Sequence, residues 1–413
     1  MYNFCDREVI NVILNELHEL MKEQFTKDER LIIYCVISMF LPCYMCVIFL
    51  LFICAYLLYK HELQQSFKEI KGSKYLLLFT LLSFVTSLIH QNYLGALLTI
   101  AILAIFCIIV FFMSHMNKRL FEIVIDLFIF MSILAALYGL IEYIGILNKM
   151  DIDQFTIINF SSREDRVNSV FFNANYYAMM IEFFVLMCFY KAFNLRLCVK
   201  DIRKILYYSF VIALNLFLLY LTSCRTAWPA LAVGIFILLY YNHHYKSVTI
   251  LSIVIIACLI GIYLFPDIFP RMDTIFSYFL TRTDIWEGAI EMLEDNWLIG
   301  QGPLTYFHLA ESYGSYVTHH AHSVYIDPFL SHGVLGVACL IPYGYHCAKG
   351  CMRIAKKKLD RSYLALVLSF IVCILIHGTM DYTIYFIQTS LTFFIVASSF
   401  MMYKKEINYV VEG

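Results

Sequence analysis

From residue 31 to residue 402 the chain is a succession of apolar runs, most of them close to the ~20 residues that a helix needs to cross a bilayer. Backbone N–H and C=O groups in hydrocarbon find no water to bond, so each run must satisfy its own backbone, and a helix does that within one segment. The runs lack the two-residue alternation of lipid-facing barrel strands. The expected fold class is therefore all-α, a polytopic membrane protein with about 11 transmembrane helices (about 10–12). The spans are expected near 31–58, 75–91, 93–114, 120–146, 172–190, 205–221, 227–242, 247–265, 324–346, 362–379 and 383–402. Composition agrees: 61% of the 413 residues are hydrophobic and only 15% are charged, which excludes an ordinary soluble domain. A formal net charge of −1 points away from a nucleic-acid partner. Most of the 14 cysteines sit inside apolar runs, where cysteine behaves as a small hydrophobe, and no paired CxxC motif suggests zinc or a disulfide framework.

Lysine and arginine in short connections stay cytoplasmic, and this orients the spans. The basic connections hold Lys60, Lys68, Lys71 and Lys74; Lys118 and Arg119; Lys191, Arg196, Lys200, Arg203 and Lys204; Lys246; and Lys349, Arg353, Lys356, Lys357, Lys358 and Arg361. The opposite, outer face then receives 147–171, the turn around Arg225, the loop 266–323 and the turn at Asp381. Three divisions follow: an amphipathic N-terminal segment 1–30, a single membrane domain 31–403 with 266–323 as an extracytoplasmic catalytic loop, and a cytoplasmic tail 404–413. Residues 1–30 lack the apolar core of a signal peptide, so they are expected to be retained. The count of spans puts this segment outside despite Lys22, Lys27 and Arg30, a conflict that a twelfth span would remove.

Each chemically suggestive residue falls on the outer face. Arg225, in Leu221-Thr-Ser-Cys-Arg-Thr-Ala-Trp228, is either a snorkelling boundary arginine or a ligand for phosphate oxygens, which match the planar guanidinium fork. Arg271 and Arg282 stand among eight acids of the loop, and Arg282 opens an expected helix 282–295 whose apolar face would be Trp286, Ala289, Ile290 and Leu293. His322, followed by Ser323, Tyr325 and Asp327, offers an imidazole suited to taking a proton near neutrality. The spacing of His319, His320 and His322 does not put three imidazoles on one helical face and no carboxylate motif accompanies them, so no metal site is expected. Asn173 and Asn175, after Arg166, are equally readable as helix caps or substrate contacts. His377 and Asp381, four residues apart, read as a pair on one helical face. Asp151-Ile-Asp153 looks like a metal–nucleotide acid pair but faces outward, away from any nucleotide supply. Within the spans Asp126, Glu142 and Glu182 are the ionisable residues that favour a transporter.

Read together, these segments resemble the O-antigen ligase and polysaccharide polymerase superfamily of bacterial membrane glycosyltransferases. The resemblance covers about 166–400 and rests on Arg166 with Ser169 and Phe172-Asn-Ala-Asn-Tyr176, on Ser223-Cys-Arg-Thr-Ala227, and on Arg282-Thr-Asp-Ile-Trp286 leading to Asn296-Trp-Leu-Ile-Gly-Gln-Gly-Pro303 and Phe307. It is completed by His322-Ser-Val-Tyr-Ile326 and Gly333-Val-Leu-Gly336. Cys224 and Ser323 depart from the serine and asparagine usual there. The resemblance implies a multi-pass enzyme of the bacterial plasma (inner) membrane, active on the extracytoplasmic face and needing no cofactor or metal. It would transfer a glycan from a polyprenyl-diphosphate carrier of the undecaprenyl type to an acceptor glycan hydroxyl, with inversion. Arg225 and Arg282 would hold the diphosphate and His322 would orient or deprotonate the acceptor. Arg166, Asn173, Asn175, Arg271, Tyr325, His377 and Asp381 are the substrate-binding candidates. Polymerisation of surface polysaccharide repeat units is preferred over ligase-type transfer to an acceptor such as lipid A-core, because no separate acceptor-binding module is visible. Other polysaccharide assembly proteins are possible partners. A lipid or glycan flippase and a non-catalytic scaffold are the readings from other classes.

Overall fold

The computed structural model describes residues 24–152, 155, 165–193, 195, 199–266, 271 and 274–409. Among them the regular elements are helices, and no strand occurs. In chain order they are α1 (Lys27–Ser38), α2 (Cys43–Tyr59), α3 (Glu62–Glu69), α4 (Ser73–Ile89), α5 (Tyr93–His115), α6 (Lys118–Lys149), α7 (Ala174–Phe193) and α8 (Val199–Leu221). There follow α9 (Ala227–Tyr241), α10 (Tyr245–Leu264), α11 (Ile275–Asn296), α12 (Thr305–Leu309), α13 (Asp327–Lys357), α14 (Arg361–His377) and α15 (Ile387–Ser398). Short 3₁₀ turns, Thr383–Tyr385 and Ser399–Tyr403, flank α15.

Five of these elements are long and apolar enough to cross a bilayer: α5, α6, α7, the Ile202–Leu221 part of α8, and α10. The bent pair α2–α3, with 88° between its halves, raises the number to six if it is one broken span. The apolar helices α4, α9, α14 and the segment Ile387–Tyr403 are of 10–17 residues, at most about 26 Å of helix and so slightly short of a hydrocarbon core of about 30 Å. The expected first span 31–58 is two helices, not one. Pro42 has no N–H to donate and disfavours helical backbone at Leu41, so α1 ends at Ser38 and α2 starts at Cys43. Of the N-terminal segment, residues 1–23 lie outside the described residues, as does Asp153 of the acid pair.

The chain packs as two compact units. The first holds the described residues up to Cys43 with Asn117–Arg271 and Asp360–Cys373. Its core is aromatic: Phe40 lies against Phe128, Phe171 and Phe184, and Phe171 stacks on Tyr177. Charges tie its helices together, with Arg119 of α6 donating to Glu29 of α1 and Lys191 of α7 bridging Glu122 and Asp126 of α6. The second unit holds Tyr44–Met116, Met272–Leu359 and the residues from Ile374 on. In it α4 packs on α5 and α13, α5 on α15, and α11 on α13.

The expected long loop 266–323 is a folded helical module where it is described. In α11 the face formed by Ile285, Ala289 and Met292 closes on Tyr306, Ala310, Ala321 and Leu330, with Trp286 and Leu293 at its rim. This face sits slightly off the expected one: Gly288 packs closely against Ser315, and Ile290 is 48% exposed.

Candidate active site

In the first unit the sequence-selected residues surround one turn. Asn173 caps α7, its side chain accepting the N–H of Asn175 (2.8 Å), so the capping reading applies to it. Asn175 Oδ1 accepts from Arg166 Nη2 (2.5 Å), and Arg166 Nε donates to the carbonyl of Thr222 (2.6 Å). Arg166 is only 5% exposed and is a buttress: it grips the backbone three residues before Arg225. Between them Ser223 adopts φ +51°, a left-handed conformation that turns the chain sharply from α8 into α9. Half-buried Arg225 donates through Nη1 to the carbonyl of Arg271 (2.5 Å), itself at φ +60°. Two acids that favoured a transporter have structural work: Asp126 pairs with Lys191, and Glu142 accepts the backbone N–H groups of Asn168 (2.9 Å) and Ser169 (2.7 Å).

In the second unit the centre is His322, 3% exposed and held at φ +49°. A non-glycine residue at positive φ is sparsely populated and persists where surrounding bonds impose it. Here they do. Ala321 N–H donates to Asp327 Oδ2 (2.6 Å), whose other oxygen accepts from Ser331 one turn along α13. Val324 N–H donates to the carbonyl of Gly378 (2.9 Å), and the Tyr325 hydroxyl reaches the carbonyl of Leu375 (3.0 Å). These bonds bring the His322 ring to the turn after α14, where its Nδ1 lies 2.9 Å from Asp381 Oδ1.

His377 and Asp381 therefore do not share a helical face. The helix α14 ends at His377, and Asp381 lies beyond it in a turn that faces His322. Burial works to raise the Asp381 carboxyl, but the His322 charge and hydrogen bond, with His320 and Arg282 behind them, hold it well below the usual carboxylate range. An ionised Asp381 only accepts, so the His322 proton shared with it resides on Nδ1. The other ring nitrogen, Nε2, is 3.1 Å from the Thr318 hydroxyl.

His320 completes the cluster. Its ring meets that of His322 edge-on at 4.2 Å, and its Nδ1 accepts the His322 N–H (3.2 Å). The His320 proton is thereby placed on Nε2, 3.7 Å from Asp381 Oδ1. Burial above all, then the His322 charge, outweighs the pull of Asp381 and pushes this imidazole well below its ordinary value; Arg282 and His319 act in the same sense. Half-buried on α11, Arg282 stands close enough for its charge to act on both His320 and Asp381. Contrary to the sequence expectation, a carboxylate does accompany the histidines: donor atoms of His320, His322 and Asp381 lie within 4.8 Å of one another. The hydrogen bonds described use these atoms to hold protons.

The glycine motifs shape this region from behind. At Gly333, φ +62°, α13 kinks, and the freed N–H groups of Val334 and Leu335 bond the carbonyls of Trp297 and Leu298 (2.8 and 3.0 Å). Gly300, φ +62°, presses on the carbonyl of Ser331, where a Cβ would come within 2.4 Å. Asn92 anchors the same turn, donating to the carbonyls of Gln301 and Pro303 (3.0 and 2.8 Å). Sequence reading missed Asn92 and Thr318 as parts of this architecture and named Asp327 only as a residue following His322. Only Asp327 carried a local signal, its i,i+4 spacing to Ser331 on α13.

Residues 210–341 match the family model described as O-Antigen ligase. The chain resembles the O-antigen ligases. The matched stretch holds Arg225, Arg271, Arg282, His320, His322 and Tyr325, and it supports the superfamily to which the motifs pointed. No curated protein matches the sequence. The O-antigen ligase match and the five long apolar helices together support an integral membrane protein with glycosyl-transfer chemistry of this type.

Proposed function

We propose that this protein is a metal-independent, inverting glycosyltransferase of the bacterial plasma membrane, with about 11 spans in one membrane domain and its site on the extracytoplasmic face. It takes a glycan from an undecaprenyl-type diphosphate carrier and joins it to a hydroxyl of an acceptor glycan. The observation that carries this reading is the buried His322–Asp381 contact of 2.9 Å, with Nε2 turned to a hydroxyl. In the step, the acceptor oxygen attacks the anomeric carbon, the bond from that carbon to the diphosphate oxygen breaks, and the hydroxyl proton passes to His322 Nε2. Asp381 fixes the tautomer and stabilises the imidazolium that forms. The leaving diphosphate gains negative charge, and Arg282, whose charge acts on Asp381 and His320, would offset it. The resemblance assigns the same chemistry to Arg225, whose turn is stiffened by Arg166 and Asn175. Arg271, Tyr325 and His377 are the remaining substrate-side positions; the Arg271 carbonyl holds Arg225, and the Tyr325 hydroxyl donates to the carbonyl of Leu375.

Repeat-unit polymerisation remains the preferred form of the activity. Ligase-type transfer to a different acceptor is favoured by the description of the matched family. Purified wild type and His322→Ala, given the lipid-diphosphate glycan, separate these readings. A ladder of repeats made by wild type alone supports the polymerase; a single transfer that needs a second acceptor supports the ligase. No release of lipid diphosphate with either acceptor overturns both.

A further inference from the structure

At the far end of α13 from His322, a cavity of about 360 Å³ opens in the second unit. From the kink at Gly333 to Lys349 the helix advances about 24 Å, so cavity and dyad lie at opposite ends of α13, and the cavity's cations belong to the basic connections expected on the inner side. Four cationic side chains line it, Lys71, Lys74, Lys349 and Arg353, with His346 beside them and no acid among the described lining residues.

Some basic residues of the protein have carboxylate partners, as Arg119 has Glu29 and Lys191 has Glu122 and Asp126. Here the cations meet rings and carbonyls instead. Lys74 lies 5.5 Å from the ring of Tyr75, Lys349 lies 5.6 Å from that of Tyr345, and Arg353 reaches the carbonyl of Ile407 (3.4 Å). Like charges gathered round one concavity repel, and an anion removes that penalty.

The walls are built. Tyr409 accepts the Lys71 N–H (3.0 Å) and lies edge-on to His346 (5.1 Å), which fixes the C-terminal segment as one side. Gly72, φ +80°, brings the turn before α4 so near α13 that a Cβ would sit 3.0 Å from the Tyr343 backbone. The volume suits a small polar group rather than a macromolecule. Leading away from it, Leu77 and Leu78 of α4 and Ile341 of α13 are exposed at 40%, 48% and 63%, an apolar path for acyl chains.

We propose that this cavity binds the phosphate of an anionic lipid headgroup and so joins the α4 turn, α13 and the C-terminal segment at the inner boundary of the membrane. The same chemistry fits a soluble phosphate, and the apolar path favours the lipid. The test uses the full chain in neutral detergent, titrated with phosphatidylglycerol, phosphatidylcholine or inorganic phosphate, with bound lipid counted by native mass spectrometry and thermal unfolding followed in parallel. Saturable binding of phosphatidylglycerol that raises the unfolding temperature is expected. Lys71→Gln/Lys349→Gln should weaken it by about 25-fold, at about 5-fold per lysine. Lys349→Gln alone removes an exposed side chain and guards against misfolding of the double variant; about a 5-fold loss is expected. Lys356→Gln/Lys405→Gln takes the same charge from exposed positions outside the lining and should leave binding unchanged. Equal weakening by both pairs overturns the proposal in favour of a general basic surface, as does binding of phosphatidylcholine with equal affinity. Stabilisation by inorganic phosphate but not by phosphatidylglycerol upholds the phosphate site and overturns its lipid source. None of these outcomes depends on glycosyl transfer.

Discussion

Asp381 is the residue on which the proposed chemistry turns, because its charge decides which nitrogen of His322 is free to take a proton. Asp381→Asn keeps the size but removes the ionised acceptor. Turnover should fall by about 10²-fold or more with the Michaelis constant for the lipid-linked glycan little changed, as measured by lipid-diphosphate release. A purely structural Asp381 would instead reduce the amount of folded protein and leave turnover per folded molecule intact. Arg282→Ala and Arg225→Ala, assayed separately, should each abolish transfer while the protein still inserts. Arg282→Lys should recover little of it, since a point charge does not reproduce a planar fork. Full activity in either alanine variant would remove that arginine from the mechanism.

The element that organises the second unit is α13 with its kink. Gly333 carries φ +62°, and a Cβ there would come within 2.4 Å of Ile299 N, whereas Gly314, φ +64°, has nothing within 4 Å of the same position. Gly333 (φ +62°, ψ 178°) combines a backbone conformation open essentially to glycine alone with crowding, whereas Gly314 is uncrowded. Gly314→Ala should cost about 1–2 kcal/mol, the left-handed penalty alone. Gly333→Ala should cost clearly more and should also disturb the 296–303 turn. Denaturation of both variants in detergent checks this, and equal losses would show that the close approach of α13 to that turn is unimportant for stability.

For the molecule as a whole, His320 and Asp381 weaken the fold towards acid, while Asp327, raised to about 6 by burial, takes up its proton in the native state first and partly offsets them below about pH 6. The native His320 imidazole titrates well below its ordinary value, so as pH falls through about 6.5 the unfolded chain binds a proton that the native one refuses. Asp381, also shifted down, has the same sign: its contribution is present above about 4 and is lost as pH falls towards its native value. Stability should therefore decline from neutrality towards acid, and His320→Asn should flatten the slope between about pH 6.5 and 5. Thermal unfolding against pH measures it; an unchanged slope would mean that His320 is not buried as a neutral ring. Chelator should leave transfer intact, and loss of activity that zinc or magnesium restores would overturn metal independence.

Membrane helices were legible from the sequence because hydrocarbon imposes one length and one backbone solution on every span, so α5, α6, α7, α8 and α10 fall where the apolar runs do. The turn at Arg225, the glycine motif at 300–303 and His322 were legible for a similar reason: a sharp reversal or a polar group at a membrane boundary stands out against apolar neighbours. What the apolar runs concealed was breakage, since hydropathy is blind to the interruption at Pro42 and to the kink at Gly333. Pairing was decided only in three dimensions. Asp381 lies 59 residues from His322, and no periodicity reaches that far. The bonds from Val324 to Gly378 and from Tyr325 to Leu375 bring the two together, and burial then makes their charges count.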